Sequence, residues 1–118
     1  MKRFIIIFSA LLTFAACSKA SAPAGDVAAG KAKFDQLCAT CHGMKGEGDG
    51  PASAGLNPKP RNFHDAAVMD KKTNEELKKV IKNGGAANGL SPVMPAWGGT
   101  LSDQDIDNVI AYIRTFSK

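Results

Sequence analysis

The chain has 118 residues, of which 44% are hydrophobic and 22% charged, which is enough for one small domain and too little for two separate cores. Such an ordinary composition argues against a disordered chain. The formal net charge of +4 falls to +2 if Lys2 and Arg3 are removed with a leader, and so weak a charge does not indicate binding to nucleic acid.

The N-terminal residues have the pattern of an export signal. Lys2 and Arg3 precede an uninterrupted run of 13 apolar or small residues, Phe4 to Ala16. This run is too short to cross a bilayer as a helix, and its length is typical of the apolar region of a signal peptide. We therefore predict that residues 1–16 are a signal peptide and that the chain is exported to the periplasmic side.

Cys17 follows directly, and residues 14–17, FAAC, resemble the lipobox of bacterial lipoproteins. The resemblance implies that Cys17 is acylated, becomes the first mature residue and anchors the protein to a membrane. Two other cleavage positions stay open, at residues 20–22, ASA, and residues 22–24, APA. The second would discard Cys17 and leave a soluble periplasmic protein.

A short tether is predicted between this signal and the globular part of the chain. Residues 17–25 are mostly small or polar and include a proline and a glycine, a composition typical of a flexible linker. The folded domain is therefore predicted over residues 26–118.

The first predicted helix runs from about Asp26, a suitable N-cap, to Thr40. Four residues recur with helical spacing on one face: Val27, Gly30, Phe34 and Leu37. Because glycine is unfavourable inside a helix, Gly30 predicts the close approach of another helix.

The end of this helix carries the pattern C-x-x-C-H at residues 38–42, which is the attachment signature of c-type haem. Residues three apart on a helical turn lie on the same side, so the sulfurs of Cys38 and Cys41 can add to the two vinyl groups of one haem. The adjacent His42 can then present an imidazole nitrogen to the iron as the proximal ligand.

Two other readings of C-x-x-C are a redox-active pair of the thioredoxin type and half of a zinc site. The first needs a βαβ context, and the sequence has no convincing strand pattern. The second needs a further ligand, and His64 is the only other histidine. Haem attachment is therefore the preferred interpretation.

From about Asp26 to Phe116 the chain resembles a monohaem class I cytochrome c. The resemblance implies an all-α fold with crossing N- and C-terminal helices. A middle helix and long loops would surround one covalently bound haem c and its iron. In this family a glycine and an aromatic residue of the first helix cross an aromatic residue of the last, and Gly30, Phe34 and Tyr112 match that pattern.

The segment from Gly43 to Phe63 is rich in glycine and proline and is predicted to form an irregular loop. Pro51 resembles the family proline whose carbonyl accepts the proton of the His42 nitrogen that faces away from iron. Arg61 is either a candidate partner for a haem propionate or an ordinary surface arginine.

The middle helix is predicted from about Asn74 to Asn83, with Thr73 and Glu76 as a capping box. Five lysines lie in or just before it: Lys71, Lys72, Lys78, Lys79 and Lys82. They form either an ordinary solvated face or a basic rim that steers an acidic redox partner.

Four side chains could bind the distal side of the iron: Met44, Met69, Met94 and His64. Met44 is excluded because two residues beyond His42 reach only about 7 Å. Met94 lies in the stiff segment SPVMPAW, residues 91–97, just before the last helix, where class I cytochromes carry their distal methionine. We predict iron ligation by His42 and Met94, with Met69 in the core and His64 in a loop.

Trp97 is predicted to pack on the haem edge or to reach a propionate. The last helix follows, with Ser102 as N-cap and Asp105 completing a capping box. Its apolar face consists of Ile106, Val109, Ile110 and Ile113, flanked by Tyr112 and Phe116.

A haem with His/Met ligation has no open position for a substrate and exchanges one electron with little rearrangement. The predicted function is a monomeric electron carrier, not an enzyme, that exchanges electrons with respiratory or other redox proteins as donors and acceptors. Two alternatives stay open: a haem subunit of a larger oxidoreductase, and a haem-based sensor or ligand-binding module with a labile distal ligand.

Overall fold

The structure, a computed structural model, describes residues 25–118. Within that range the helices are α1 (Val27–Leu37), α2 (Ala39–His42), α3 (Ala66–Met69), α4 (Asn74–Asn83) and α5 (Asp103–Ile113), with 3-10 turns at Pro51–Ser53 and Ala86–Asn88. These residues contain no strand, so the predicted all-α class is confirmed. The predicted signal peptide, Cys17 and the tether up to residue 24 lie outside the described residues.

Helix α1 begins as predicted but ends earlier. The Asp26 carboxylate accepts hydrogen bonds from the backbone N–H groups of Ala28 and Ala29, at 2.8 and 3.0 Å. The prediction of one helix to Thr40 is wrong, because Cys38 has φ −108°, away from the helical value, and α2 starts after it. The apolar face is also narrower than predicted, since Val27 is 44% exposed.

The crossing of α1 and α5 organises the core. A Cβ atom at Gly30 would collide with the carbonyl oxygen of Asn108, so only glycine allows this approach. Phe34 is fully buried at the crossing, and its ring meets the ring of Tyr112 at 5.2 Å and 68°. The predicted pattern of glycine and aromatic residues at the crossing is therefore confirmed. Gly25 also lies against α5, although the sequence placed it in the tether.

Helices α4 and α5 begin with the predicted capping boxes. Thr73 and Glu76 cap α4 reciprocally, and Ser102 and Asp105 do the same for α5. The buried apolar residues form one core cluster: Phe34, Ala39, Phe63, Met69, Ile81, Leu101, Ile106, Val109, Ile110 and Ile113. No helix within residues 25–118 is long and apolar enough to cross a membrane.

Arg114, at the end of α5, ties that helix to the connection between α3 and α4. Its guanidinium donates hydrogen bonds to the Met69 carbonyl at 2.7 Å, to the Asn74 side chain at 3.0 Å and to the Lys72 carbonyl. Met69 is 1% exposed, which confirms its predicted place in the core. Neither α3 nor this tie was predicted from the sequence.

Candidate haem site

The C-x-x-C-H motif begins at the break between α1 and α2 and continues through α2. Cys38 is the residue at the break, and its carbonyl accepts the N–H groups of Cys41 and His42 at 3.1 and 2.9 Å. One turn of helix therefore separates the two cysteines, which are free and half-buried. This is the arrangement on which the prediction of haem attachment depended.

The environment of Cys38 does not suit a redox-active thiol. Burial, with a smaller effect from Cys41, raises the pKa of Cys38 to about 11. Redox-active C-x-x-C pairs have a lowered pKa, because the thiolate is their reactive form. In the described part of the chain no group of three or more Cys, His, Asp or Glu residues could hold a metal ion, which also disfavours a zinc site.

His42 is held by a backbone carbonyl. Its Nδ1 lies 3.2 Å from the carbonyl oxygen of Arg61. Since a carbonyl can only accept, Nδ1 carries the proton, and the lone pair of Nε2 is free to bind a metal. Burial lowers the pKa of His42, against the opposing effect of the Arg61 carbonyl, and so favours the neutral imidazole.

The prediction that the Pro51 carbonyl accepts the proton of His42 is wrong. The hydrogen bond expected from the Pro51 carbonyl is made by Arg61, while Pro51 is exposed and begins a 3-10 turn. The reason lies in the path of the loop. Gly48, with φ +80°, allows the chain to pass so close to Pro60 that a Cβ atom would collide with its carbonyl oxygen. This contact brings the segment from Pro60 to Phe63 back beside His42.

Phe63 stacks on the His42 imidazole and was not singled out from the sequence. The ring centroids of His42 and Phe63 are 4.6 Å apart, and the rings are inclined by 16°. Phe63 is 7% exposed and also belongs to the aromatic group at the crossing of α1 and α5. The sequence shows only an aromatic residue at the end of the glycine- and proline-rich loop. Its contact with His42 depends on how that loop folds back in the structure.

The other candidate distal ligands already occupy different surroundings. Met44 is 59% exposed, and Met69 is enclosed in the core. The Nε2 atom of His64 lies 2.8 Å from the Lys45 carbonyl, so His64 is engaged in the loop as expected. Met94 is half-buried against the core cluster, and its ligation of iron stays a prediction.

The Met94 loop is attached to the end of α4. The carbonyl of Met94 accepts the Gly85 N–H at 3.0 Å, and Trp97 donates its backbone N–H to the Ile81 carbonyl at 2.9 Å. A Cβ atom at Gly85 would collide with the Ser91 carbonyl, so glycine is needed for the loop to fold back. Trp97 is half-buried against the core. Its contact with a haem edge or propionate stays a prediction, as does that of the exposed Arg61 side chain.

The lysines of the middle segment are largely engaged within the protein. Lys78 and Lys82 on α4 pair with Asp107 and Asp103 on α5, at 2.9 and 2.7 Å. Lys72 lies 3.8 Å from Glu76. Three of the five lysines are therefore partly neutralised, which favours the solvated-face interpretation over a basic rim.

Comparisons with known proteins identify the family of this chain. The family model described as "Cytochrome C oxidase, cbb3-type, subunit III" matches residues 25–113. The chain is 38% identical to cytochrome c-554(547) of Halothiobacillus neapolitanus over 78% of this chain and 98% of that protein. It is 36% identical to the cbb3-type cytochrome c oxidase subunit CcoP of Azospirillum sp. (strain B510), over 80% of this chain but only 30% of CcoP.

A solved structure has the same architecture. The KustC0563 c-type cytochrome superposes with a TM-score of 0.60 at 26% identity, covering 75% of this chain and 98% of that one. Similarity over nearly the whole of two small cytochromes agrees with one haem c, bound covalently, and with a role in one-electron transfer. The chain therefore belongs to the family of the cbb3-type cytochrome c oxidase subunit III, and it is a class I c-type cytochrome.

Proposed function

We propose that this protein carries single electrons on a haem c whose iron is bound by His42 and Met94, with thioether bonds from Cys38 and Cys41. The observation that carries the proposal is the 3.2 Å contact between His42 Nδ1 and the Arg61 carbonyl. This contact fixes the tautomer of His42 and leaves its Nε2 atom available to iron. His42 directly follows Cys41, the second of the two half-buried cysteines. The haem supplies the one-electron couple, and the chain supplies its attachment and its axial ligands.

Met94 is proposed as the distal ligand because its surroundings combine partial burial with a constrained backbone. The loop is fixed to α4 through Gly85 and Trp97, and Pro92 and Pro95 restrict it further. If His42 and Met94 both bind the iron of the haem, no position on it would be open for a substrate. This argument supports a carrier and not an enzyme.

We also propose that the carrier is exported and anchored to a membrane by lipid. Residues 1–16 act as a signal peptide, Cys17 carries lipid, and the tether lets the folded domain reach redox proteins on the periplasmic side. The intact mass of the mature protein tests this. A chain that begins at Cys17 with added acyl mass supports the anchor, whereas an unmodified chain that begins at Gly25 refutes it.

The ligation is tested by Met94→Ala with Met44→Ala as the matched control, since Met44 is exposed and was excluded by its distance along the chain. The methionine–iron charge-transfer band at the red end of the ferric spectrum should disappear in Met94→Ala and persist in the control. Met94→Ala should also bind carbon monoxide in the ferrous form. A band that survives Met94→Ala and disappears in Met69→Ala would contradict the assignment.

A second candidate is that this domain serves as the haem subunit of a larger oxidoreductase. It is favoured by the similarity to CcoP, in which a matching segment makes up 30% of a longer chain. The two candidates separate by purification of the natural protein. A carrier should elute at the mass of one small chain, and a subunit should elute with a catalytic partner.

A further inference from the structure

We propose that Phe63 is a positioning residue that fixes the rotational orientation of the His42 imidazole. The inference rests on the proposed ligation of iron by His42 and goes beyond it. Phe63 acts together with the Arg61 carbonyl, so that the imidazole is held at an edge and at a face. The segment from Arg61 to Phe63 therefore supplies both restraints.

The geometry shows why one restraint is insufficient. The hydrogen bond from Nδ1 of His42 to Arg61, at 3.2 Å, fixes one edge of the imidazole but still allows the ring to turn about the line joining the two atoms. The Phe63 ring lies 4.6 Å from the imidazole between centroids and nearly parallel to it, at 16°. Rotation of the imidazole out of this plane would push its edge into the Phe63 ring.

Phe63 can act as a restraint because it is itself fixed. Its backbone N–H donates to the Gly46 carbonyl at 2.8 Å. Its ring packs against Phe34 at 6.2 Å and 65°, and against Phe116 at 6.4 Å and 13°. A Cβ atom at Gly46 would lie only 2.9 Å from the Phe116 ring and 3.1 Å from the Phe63 ring, so this packing leaves little space.

The consequence is a link between the helix crossing and the proximal ligand. The aromatic rings that fill the crossing of α1 and α5 continue through Phe63 to His42. A ligand that keeps its orientation when the iron changes oxidation state requires less rearrangement per electron. Phe63 thus contributes to the electron-transfer site as well as to the core.

A residue that only fills the core would affect stability but not the orientation of the imidazole, so the test must measure orientation. In the ferric holoprotein, the electron paramagnetic resonance g-values and the spread of the haem methyl proton shifts depend on the orientation of the axial ligands. We expect Phe63→Leu to change both. Phe63→Tyr, which keeps a flat ring, should show the g-values and methyl shifts of the wild type.

The matched control is Tyr112→Leu, which removes an aromatic ring of the same cluster that packs on Phe34 and Phe116, one ring further from His42. It should lower the melting temperature and leave the g-values and methyl shifts near those of the wild type. Unchanged spectra in Phe63→Leu, or equal changes in both leucine variants, would overturn the proposal.

A measurement on the wild-type protein keeps the proposal testable if a variant fails to fold. In the diamagnetic ferrous form, nuclear Overhauser contacts should join the ring protons of His42 and Phe63, and their absence overturns the inference. Failure of the proposed function is distinguishable, because it would appear as a wild-type spectrum without histidine ligation. Failure of the Phe63 inference alone would leave that ligation intact.

Discussion

Lys78 on α4 donates to both carboxylate oxygens of Asp107 on α5, each at 2.9 Å. The hydrogen bond to Asp107 raises the pKa of Lys78 and keeps the ammonium charged. The pair joins two helices at the surface, and the Asp107 carboxylate offsets the positive charge of Lys78 there. Lys82 and Asp103 repeat the arrangement nearby. These pairs lead to a prediction about the electrostatics of electron transfer.

We expect the rate of electron exchange with the natural partner to depend weakly on salt. Raising the ionic strength roughly tenfold should change the second-order rate constant by less than about threefold, because the lysine charges are already partly neutralised. Stopped-flow measurements across a salt series provide the check. A steep fall with salt would instead favour the basic rim, and Lys79→Gln should then slow the reaction.

Gly30→Ala tests the helix crossing. The new methyl group would collide with the Asn108 carbonyl, so α1 and α5 must separate, and we expect a loss of about 1–3 kcal/mol in the free energy of unfolding. Gly99→Ala is the matched control, since no atom lies within 4 Å of a Cβ atom there. Denaturant unfolding of both holoproteins gives the comparison. Equal stability of the two variants would show that the crossing tolerates a side chain.

Arg114→Lys tests the tie between α5 and the segment before α4. A lysine keeps the charge but cannot reproduce the forked set of donors that reaches Met69, Lys72 and Asn74. We expect the free energy of unfolding to fall by about 1–3 kcal/mol. Lys71→Gln, an exposed change in the same region, is the control and should stay close to wild type. Amide exchange in α3 should also accelerate only in Arg114→Lys.

Asp105 predicts one source of acid sensitivity. Its hydrogen bonds from Ser102, with help from Lys33, hold the pKa of the Asp105 carboxyl below its usual value. A folded-state pKa below the unfolded one adds stability above the unfolded value, near pH 4, and this stability is lost as the pH falls through the folded value. Asp105→Asn should therefore be less stable at neutral pH and show a shallower loss in acid.

The comparison is the slope of unfolding free energy against pH, measured for wild type, Asp105→Asn and the exposed control Gln36→Ala, which changes no titratable group. The control should retain the wild-type slope. A wild-type slope in Asp105→Asn as well would mean that the α5 capping box contributes nothing to acid sensitivity.

Features set by neighbours in the chain were predictable. The capping residues Asp26, Thr73 and Ser102 act through hydrogen bonds that span two or three residues, and the structure has each of them as predicted. The C-x-x-C-H motif is equally local, since one helical turn places its residues together. Gly30 predicted a partner helix because a glycine destabilises the interior of a helix and no neighbouring residue offsets that effect.

What surrounds His42 depends on tertiary structure. Pro51 and Arg61 both lie in the loop after His42, and the sequence does not show which carbonyl accepts its proton. The path of the chain through Gly48 brings the Arg61 carbonyl to His42. The Phe63 stack and the Arg114 tie join residues 21 and up to 45 positions apart. The sequence by itself determined the three longer helices, α1, α4 and α5, with their N-caps, and the haem motif, because these depend on short-range hydrogen bonds and helical spacing. Tertiary structure alone decided which distant groups hold the imidazole, because that depends on how loops close over the packed helices.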